Sequence, residues 1–354
     1  MSIFEYVDSD TRFLYLSGRD VADLCTPDMA LSAVDEALRL HALGKTILPS
    51  ESYLGWQTPS GAQARCLAMP GAVDFGAQQA IGLKTINASM ANTSAGRARS
   101  DGFTILLDPE SARPVAVLQA ARISAQRTAA VSAVGAQLLA PAARILAIVG
   151  CGTLGAAHAT LLSHAIASID TVLLFDSQPG KIGRLADFLS TSLPGRIRVY
   201  GSETAEACVR SGEIVIFSTT ATEGYVPYEW ISPGAFVSHV SLDDLLPEVF
   251  ALCDYLVVDE WRLISDDGRR ILGRLAGDGR ITGPAEEGVA HSAETASRDV
   301  DATLGELLTG QRNLPGPGGT SVCNPFGMAI LDVALASRVL AAAREAGRGL
   351  TLSL

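Results

Sequence analysis

Hydrophobic and polar positions follow two rhythms along this chain. In PDMALSAVDEALRLHALG (27–44) apolar side chains recur every three or four residues. A proline stands where a first helical turn tolerates one, so the spacing predicts a helix. From about Pro49 to Ala120 the pattern changes to short apolar runs broken by glycine, proline and asparagine. ARCLAMPG, AIGLKTIN, GFTILLD and PVAVLQA read as strands of a mostly antiparallel sheet, with DPESARP as the turn before the last. SAQRTAAVSAVGAQLLA (124–140) reads as a helix rich in small residues.

Strands and helices then alternate. ILAIVG and TVLLFD read as strands, and GKIGRLADFLSTSL as a helix. IRVYG, EIVIFST, AFVSHVS and YLVVD are further short β-branched runs. This rhythm predicts an α/β fold, a doubly wound parallel sheet with helices on both faces. Asp267 to Gly319 is rich in glycine and charge and reads as loops with one helix, ATLGELLTG. FGMAILDVALASRVLAAAREAG reads as a long amphipathic helix.

One junction in the alternating part carries chemistry. Gly150, Gly152 and Gly155 form G-x-G-x-x-G between a predicted strand and a predicted helix, which is the context that gives the pattern force. The first glycine permits a tight turn, the second lets a pyrophosphate reach the backbone, and the third lets helix and strand pack closely. The helix start then offers N–H groups to phosphate. Asp176 ends the second strand, where a carboxylate accepts ribose hydroxyls and repels a 2′-phosphate; the expected cofactor is therefore NAD. A helix cap is the other reading of Asp176, and Lys181 and Arg184 lie nearby. The cofactor-binding set is Gly150, Gly152, Thr153, Leu154, Gly155 and Asp176, with Arg127 and Thr128.

Composition narrows the class. The 354 residues suffice for about two domains. With 48% hydrophobic and 18% charged residues the chain reads as well buried, and as an oligomer. A net charge of −11 argues against a nucleic-acid partner. No run approaches a membrane span and no signal core opens the chain, so a cytoplasmic protein is expected. Cys25, Cys66, Cys151, Cys208, Cys253 and Cys323 are scattered without a CxxC pair. They read as buried free thiols, and no metal is expected.

Few cations lie inside the strand patterns, so those present stand out. Arg65 lies in ARCLAMPG, Lys84 in AIGLKTIN, and Arg127 opens the small-residue helix. A lysine in an apolar strand is costly unless paired or functional. These three suit an amino acid with more than one carboxylate. A solvated strand face is the other reading of Arg65 and of Lys84, an exposed helix start that of Arg127, and Arg122 is left as a surface or pyrophosphate contact. For proton transfer, SHVSLDDLLPEVF (238–250) offers His239, Asp243, Asp244 and Glu248 after a strand of the alternating region. Asp244 is the expected acid/base, with His239 behind it; a helix cap is the other reading of the two aspartates. His41, His158, His164 and His291 receive no role.

The chain resembles the ornithine cyclodeaminase/μ-crystallin family over nearly its whole length. The resemblance rests on MPG after a strand, AIGLKT, DGFTILLDPESARPVAVLQAARISAQRTAAVSA, GCGTLG, ATLGELLTG and NPFGMAILDVALA. ARCLAMPG, VSLDDLLPEVF and NPFGMAILDVA are most similar to its 2,3-diaminopropionate biosynthesis dehydrogenases. The resemblance implies a homodimer whose Rossmann NAD-binding domain (123–324) is inserted in an α+β substrate-binding and dimerisation domain (1–122 plus 325–354). It implies that Arg65, Lys84 and Arg127 hold the substrate carboxylate, that Lys84 takes part in catalysis, and that the glycines and Asp176 bind NAD.

The activity implied is NAD-dependent oxidative cleavage of N-(1-amino-1-carboxyl-2-ethyl)-glutamate to 2-oxoglutarate and L-2,3-diaminopropionate, for a siderophore or peptide antibiotic. Two other readings belong to the same resemblance: an ornithine or lysine cyclodeaminase or imino-acid reductase, and a non-catalytic small-ligand-binding protein. Cyclodeaminases carry an aspartate in a G-x-D-x-P-G-type loop. Here Leu242 occupies that position, Asp243 and Asp244 follow it, and the glycines and the proline–glycine pair are absent.

Overall fold

The computed structural model describes residues 11–284, 298–315 and 318–354, so His291 lies outside the described residues. The chain divides into two compact units, residues 1–127 with 328–354, and residues 128–327.

The first unit is built on one sheet of β1 (Arg12–Leu16), β2 (Thr46–Ile47), β3 (Ser52–Gln57), β4 (Gln63–Asp74), β5 (Gln79–Ser89), β6 (Ser100–Leu107), β7 (Pro114–Gln119) and the C-terminal strand Leu350–Ser353. The order runs from the C-terminal strand through β1, β7, β6, β5 and β4 to β2, with β3 also on β4. Only β1 and β7 run parallel; every other pairing is antiparallel, as the alternating pattern predicts. The β6–β7 hairpin turns at Asp108, whose carboxylate accepts the backbone N–H of Ser111 at 2.8 Å.

The closing helix, Ala329–Glu345, is not amphipathic over its first half. Ala329 to Ala336 are buried without interruption, because the helix lies between β4–β6 on one side and the helices Gly18–Leu24 and Pro27–Ala42 on the other. A helix covered on both sides loses its polar face. The helix expected from residue 124 starts earlier, at Ala120. The Gln119 side chain caps it, accepting the backbone N–H of Arg122 at 3.1 Å.

The second unit is a Rossmann-type parallel sheet. Its strands are β8 (Ile145–Val149), β9 (Thr171–Phe175), β10 (Arg198–Gly201), β11 (Ile214–Phe217), β12 (Phe236–His239) and β13 (Tyr255–Val258). A two-stranded pair, β14 (Ile281–Thr282) and β15 (Arg298–Asp299), stands apart, and β16 (Ala302–Thr303) and β17 (Ser321–Asn324) complete the main sheet. The order is β10-β9-β8-β11-β12-β17-β13-β16, parallel throughout. The chain leaves β8 toward β9 and returns to β11 on its other side. The crevice for ligands therefore opens at the carboxyl ends of β8 and β11. β17 escaped the sequence pattern: four residues, SVCN, are too short for periodicity, yet all are buried between β12 and β13.

Candidate active site

The turn after β8 has the form its glycines predict. Gly150 has φ +103°, where other residues are strained. A Cβ on Gly155 would stand 2.1 Å from the Gly150 carbonyl oxygen, so only glycine allows this approach of helix to strand. A Cβ on Gly152 would meet nothing within 4 Å. That open space lies before the first turn of the helix Thr153–Ala165, with Gly152 and Thr153 exposed and Leu154 half-buried. An exposed helix start behind an open glycine has room and free N–H groups for an anion.

Asp176 follows β9 and turns its carboxylate back to this loop. It accepts the backbone N–H of Cys151 at 3.0 Å and of Gln178 at 2.9 Å, and Lys181 Nζ stands 3.9 Å away. Asp176 is therefore not a cap of the helix Pro179–Ser192, whose N-cap is Gln178; it braces the loop through these two bonds and has lone pairs beyond them. Arg184 is exposed, and Thr128 is half-buried.

The acids of the loop after β12 all have partners within the second unit. Asp244 is fully buried. Its carboxylate accepts hydrogen bonds from Thr219 Oγ1 at 2.5 Å, from the Tyr225 hydroxyl at 3.1 Å and from Ser241 Oγ. Burial by itself would raise its pKa, but His239 beside it and the hydrogen bonds from Ser241 and Thr219 outweigh that and hold it low. His239 is also fully buried. Its Nε2 accepts the Asp244 N–H at 3.2 Å, and its Nδ1 stands 2.8 Å from Asn324 Nδ2. Asp243 pairs with Arg274, and Glu248 accepts the Tyr228 N–H at 3.1 Å. A buried carboxylate held by three hydroxyl groups anchors a loop. These surroundings weigh against Asp244 as the acid/base, and His239 shares its buried place.

In the first unit, Lys84 and Arg127 come together through a residue the sequence reading passed over. Lys84 is 1% exposed, and its ammonium lies 2.8 Å from Asp332 Oδ2 and 3.4 Å from Ser124 Oγ. Arg127 Nε stands 3.1 Å from the same Asp332 oxygen, at an angle that leaves its N–H without a hydrogen bond. Asp332 Oδ1 is buried with no hydrogen-bond partner. Burial, then the Arg127 charge, push the Lys84 ammonium down to about 8 against the pull of Asp332 and Glu51. Asp332 was legible only as a lone acid in the apolar run MAILDVALA.

Arg65 lies on the same sheet face, paired with Ala88, four residues along β5 from Lys84. Its Nε is buried and unpartnered, and it lines a cleft of about 450 Å³ with Trp56, Asn87, Asp101, Phe103 and Gln119. Arg122 is exposed. Among the histidines without a role, His158 is buried; Ser132 Oγ lies 3.0 Å from its Nε2, and the Leu154 carbonyl 2.7 Å from its Nδ1. Burial pushes it down to about 4. All six cysteines are unpaired; Cys25 and Cys66 are only half-buried. No group of three or more His, Cys, Asp or Glu among the described residues could hold a metal ion. Nor is any helix among them long and apolar enough to cross a membrane.

Comparison with known proteins places the chain in a family. The model of the ornithine cyclodeaminase/mu-crystallin family matches residues 14–347. The chain is 32% identical to the N-((2S)-2-amino-2-carboxyethyl)-L-glutamate dehydrogenase of Staphylococcus aureus (strain NCTC 8325 / PS 47), over 97% of this chain and 99% of that one. The crystal structure of CmnK superposes with a TM-score of 0.86 at 37% identity, covering 97% of this chain and 99% of that one. An archaeal alanine dehydrogenase dimer with bound NAD shares the fold at a TM-score of 0.81 and 24% identity, covering 97% and 99%.

Proposed function

The chain belongs to the ornithine cyclodeaminase/mu-crystallin family, and from that premise we infer that it is an NAD-dependent amino-acid dehydrogenase acting on a CH–NH bond. The substrate is N-((2S)-2-amino-2-carboxyethyl)-L-glutamate, split oxidatively with water into 2-oxoglutarate and L-2,3-diaminopropionate. Near-full-length similarity to the staphylococcal dehydrogenase carries this reading. The diaminopropionate feeds a siderophore or peptide antibiotic, and six unpaired cysteines suit work in the reducing cytoplasm.

The second unit fits NAD. The open space at Gly152 and the exposed helix start suit a pyrophosphate, and Asp176 suits a ribose diol. When bound, NAD supplies the hydride acceptor for the glutamate Cα. The first unit binds substrate and makes the dimer. Arg127 and Arg65 offer N–H donors without hydrogen-bond partners to carboxylates, and Lys84 holds or releases a proton at Nζ. Asp243 and Asp244 are both engaged, which removes the support for a cyclodeaminase-type aspartate. A second copy of the chain suits the exposed sheet face that carries Leu54, Trp56, Phe103, Leu350 and Leu352.

Purified protein with NAD+ and this substrate is expected to form NADH and 2-oxoglutarate in equal amounts. Ammonia from ornithine with no net NADH would overturn the assignment in favour of a cyclodeaminase.

A further inference from the structure

The Lys84–Asp332–Arg127 cluster is chemically unfinished. Two cations share one oxygen of one carboxylate, and all three side chains are buried. The cluster carries one surplus positive charge, and Asp332 Oδ1 lacks a donor. Burying such a set costs stability, because its pairing and hydrogen bonds are incomplete. Asp332 reaches it from the closing helix, 248 residues from Lys84, so the helix and β5 must pack before the cluster exists. The charged groups acting on Lys84 are Arg127, Asp332 and Glu51.

We propose that Asp332 is the positioning residue of the substrate site. It draws the Lys84 ammonium and the Arg127 guanidinium onto one oxygen, fixes both for an incoming carboxylate, and governs when Lys84 releases its proton. This rests on the substrate role given to Lys84 above. Asp332 acts through its two cationic neighbours.

The test reads Lys84 directly and needs no substrate. The chain has three lysines, Lys45, Lys84 and Lys181, so protein labelled with 13C at lysine Cε gives three resonances, assigned by Lys84→Arg. One is expected to titrate near pH 8 in the wild type. In Asp332→Asn that titration is expected to fall by about one pH unit or more, since an opposite charge in contact is gone. The alkaline shift of kcat/KM for any amino-acid substrate found should move with it, while NADH affinity stays unchanged. Asp332→Glu keeps the charge but displaces it. It is expected to titrate within about half a unit of the wild type and to lose about tenfold in turnover.

An unmoved Lys84 resonance in Asp332→Asn overturns the proposal. So does full turnover in Asp332→Glu, which decides the matter even if Asp332→Asn fails to fold. A resonance that moves as expected in a protein inert toward the glutamate conjugate would leave Asp332 placed and reject only the substrate.

Discussion

In the second unit the reactive surface is backbone. Gly150, Gly152 and Gly155 sit in one turn and work through N–H groups and the absence of side chains. In the first unit it is side-chain charge, gathered by β5, the helix Ala120–Leu139 and the closing helix at Lys84, Arg127 and Asp332. A backbone site is local and reads from spacing. A charge cluster exists only after distant elements pack, and there Arg127 and Asp332 pull the proton affinity of Lys84 in opposite directions.

The sharpest break of this contrast is Lys84→Met. It is expected to lower turnover by about 10²–10⁴-fold, the usual worth of a proton-transfer group, and to leave NADH binding intact by fluorescence titration. Lost NADH binding would show that the two chemistries are not separable in this way.

Within the backbone site the glycines should split. Gly155→Val places a side chain against the Gly150 carbonyl and is expected to destabilise the second unit by about 3 kcal/mol or more, seen as a fall in Tm. The Cβ of Gly152→Val meets no atom within 4 Å beyond its chain neighbours. It should hold its Tm while weakening NADH by about tenfold or more through the phosphate space it fills. Equal Tm losses in both variants would refute the split.

Charge burial also leaves a mark in the second unit. His158 is pushed from 6.5 down to about 4, so the folded form binds fewer protons than the unfolded chain between those values. Its contribution is present above pH 6.5 and is lost as pH falls through 4, up to about 3 kcal/mol. His158→Gln should start less stable but show a flatter acid limb in thermal melts. A limb as steep as the wild type's would assign it to other groups.

The smallest effect is expected at Asp176. Asp176→Ser removes a carboxylate that bars a 2′-phosphate, and should move the NAD-to-NADP preference toward NADP by about tenfold in kcat/KM. No change would leave Asp176 only its structural bonds to the Cys151 and Gln178 N–H groups.

Most of the fold was legible because it is periodic. The antiparallel run from β4 to β7 and the alternation from β8 to β13 follow the apolar pattern closely. What escaped has no period to read. β17 is four buried residues, and the C-terminal strand Leu350–Ser353 is defined by pairing with β1 at the other end of the chain. The closing helix read as amphipathic because Ser337, Arg338, Arg344 and Glu345 set its polar end, while packing on two sides buried Ala329–Ala336.

The sequence by itself determined the glycine turn, the acid after the second strand of the alternating region, and the unusual lysine of β5. Each is a local departure from what a strand or helix prefers, and local departures survive without a fold. Only the tertiary structure decided which charges meet. It turned Asp244 into the anchor of its loop, gave Thr219 and Tyr225 to that carboxylate, and brought Asp332 to Lys84 and Arg127. The cost or gain of a buried charge depends on neighbours a few ångströms away in space, and no spacing along the chain records them.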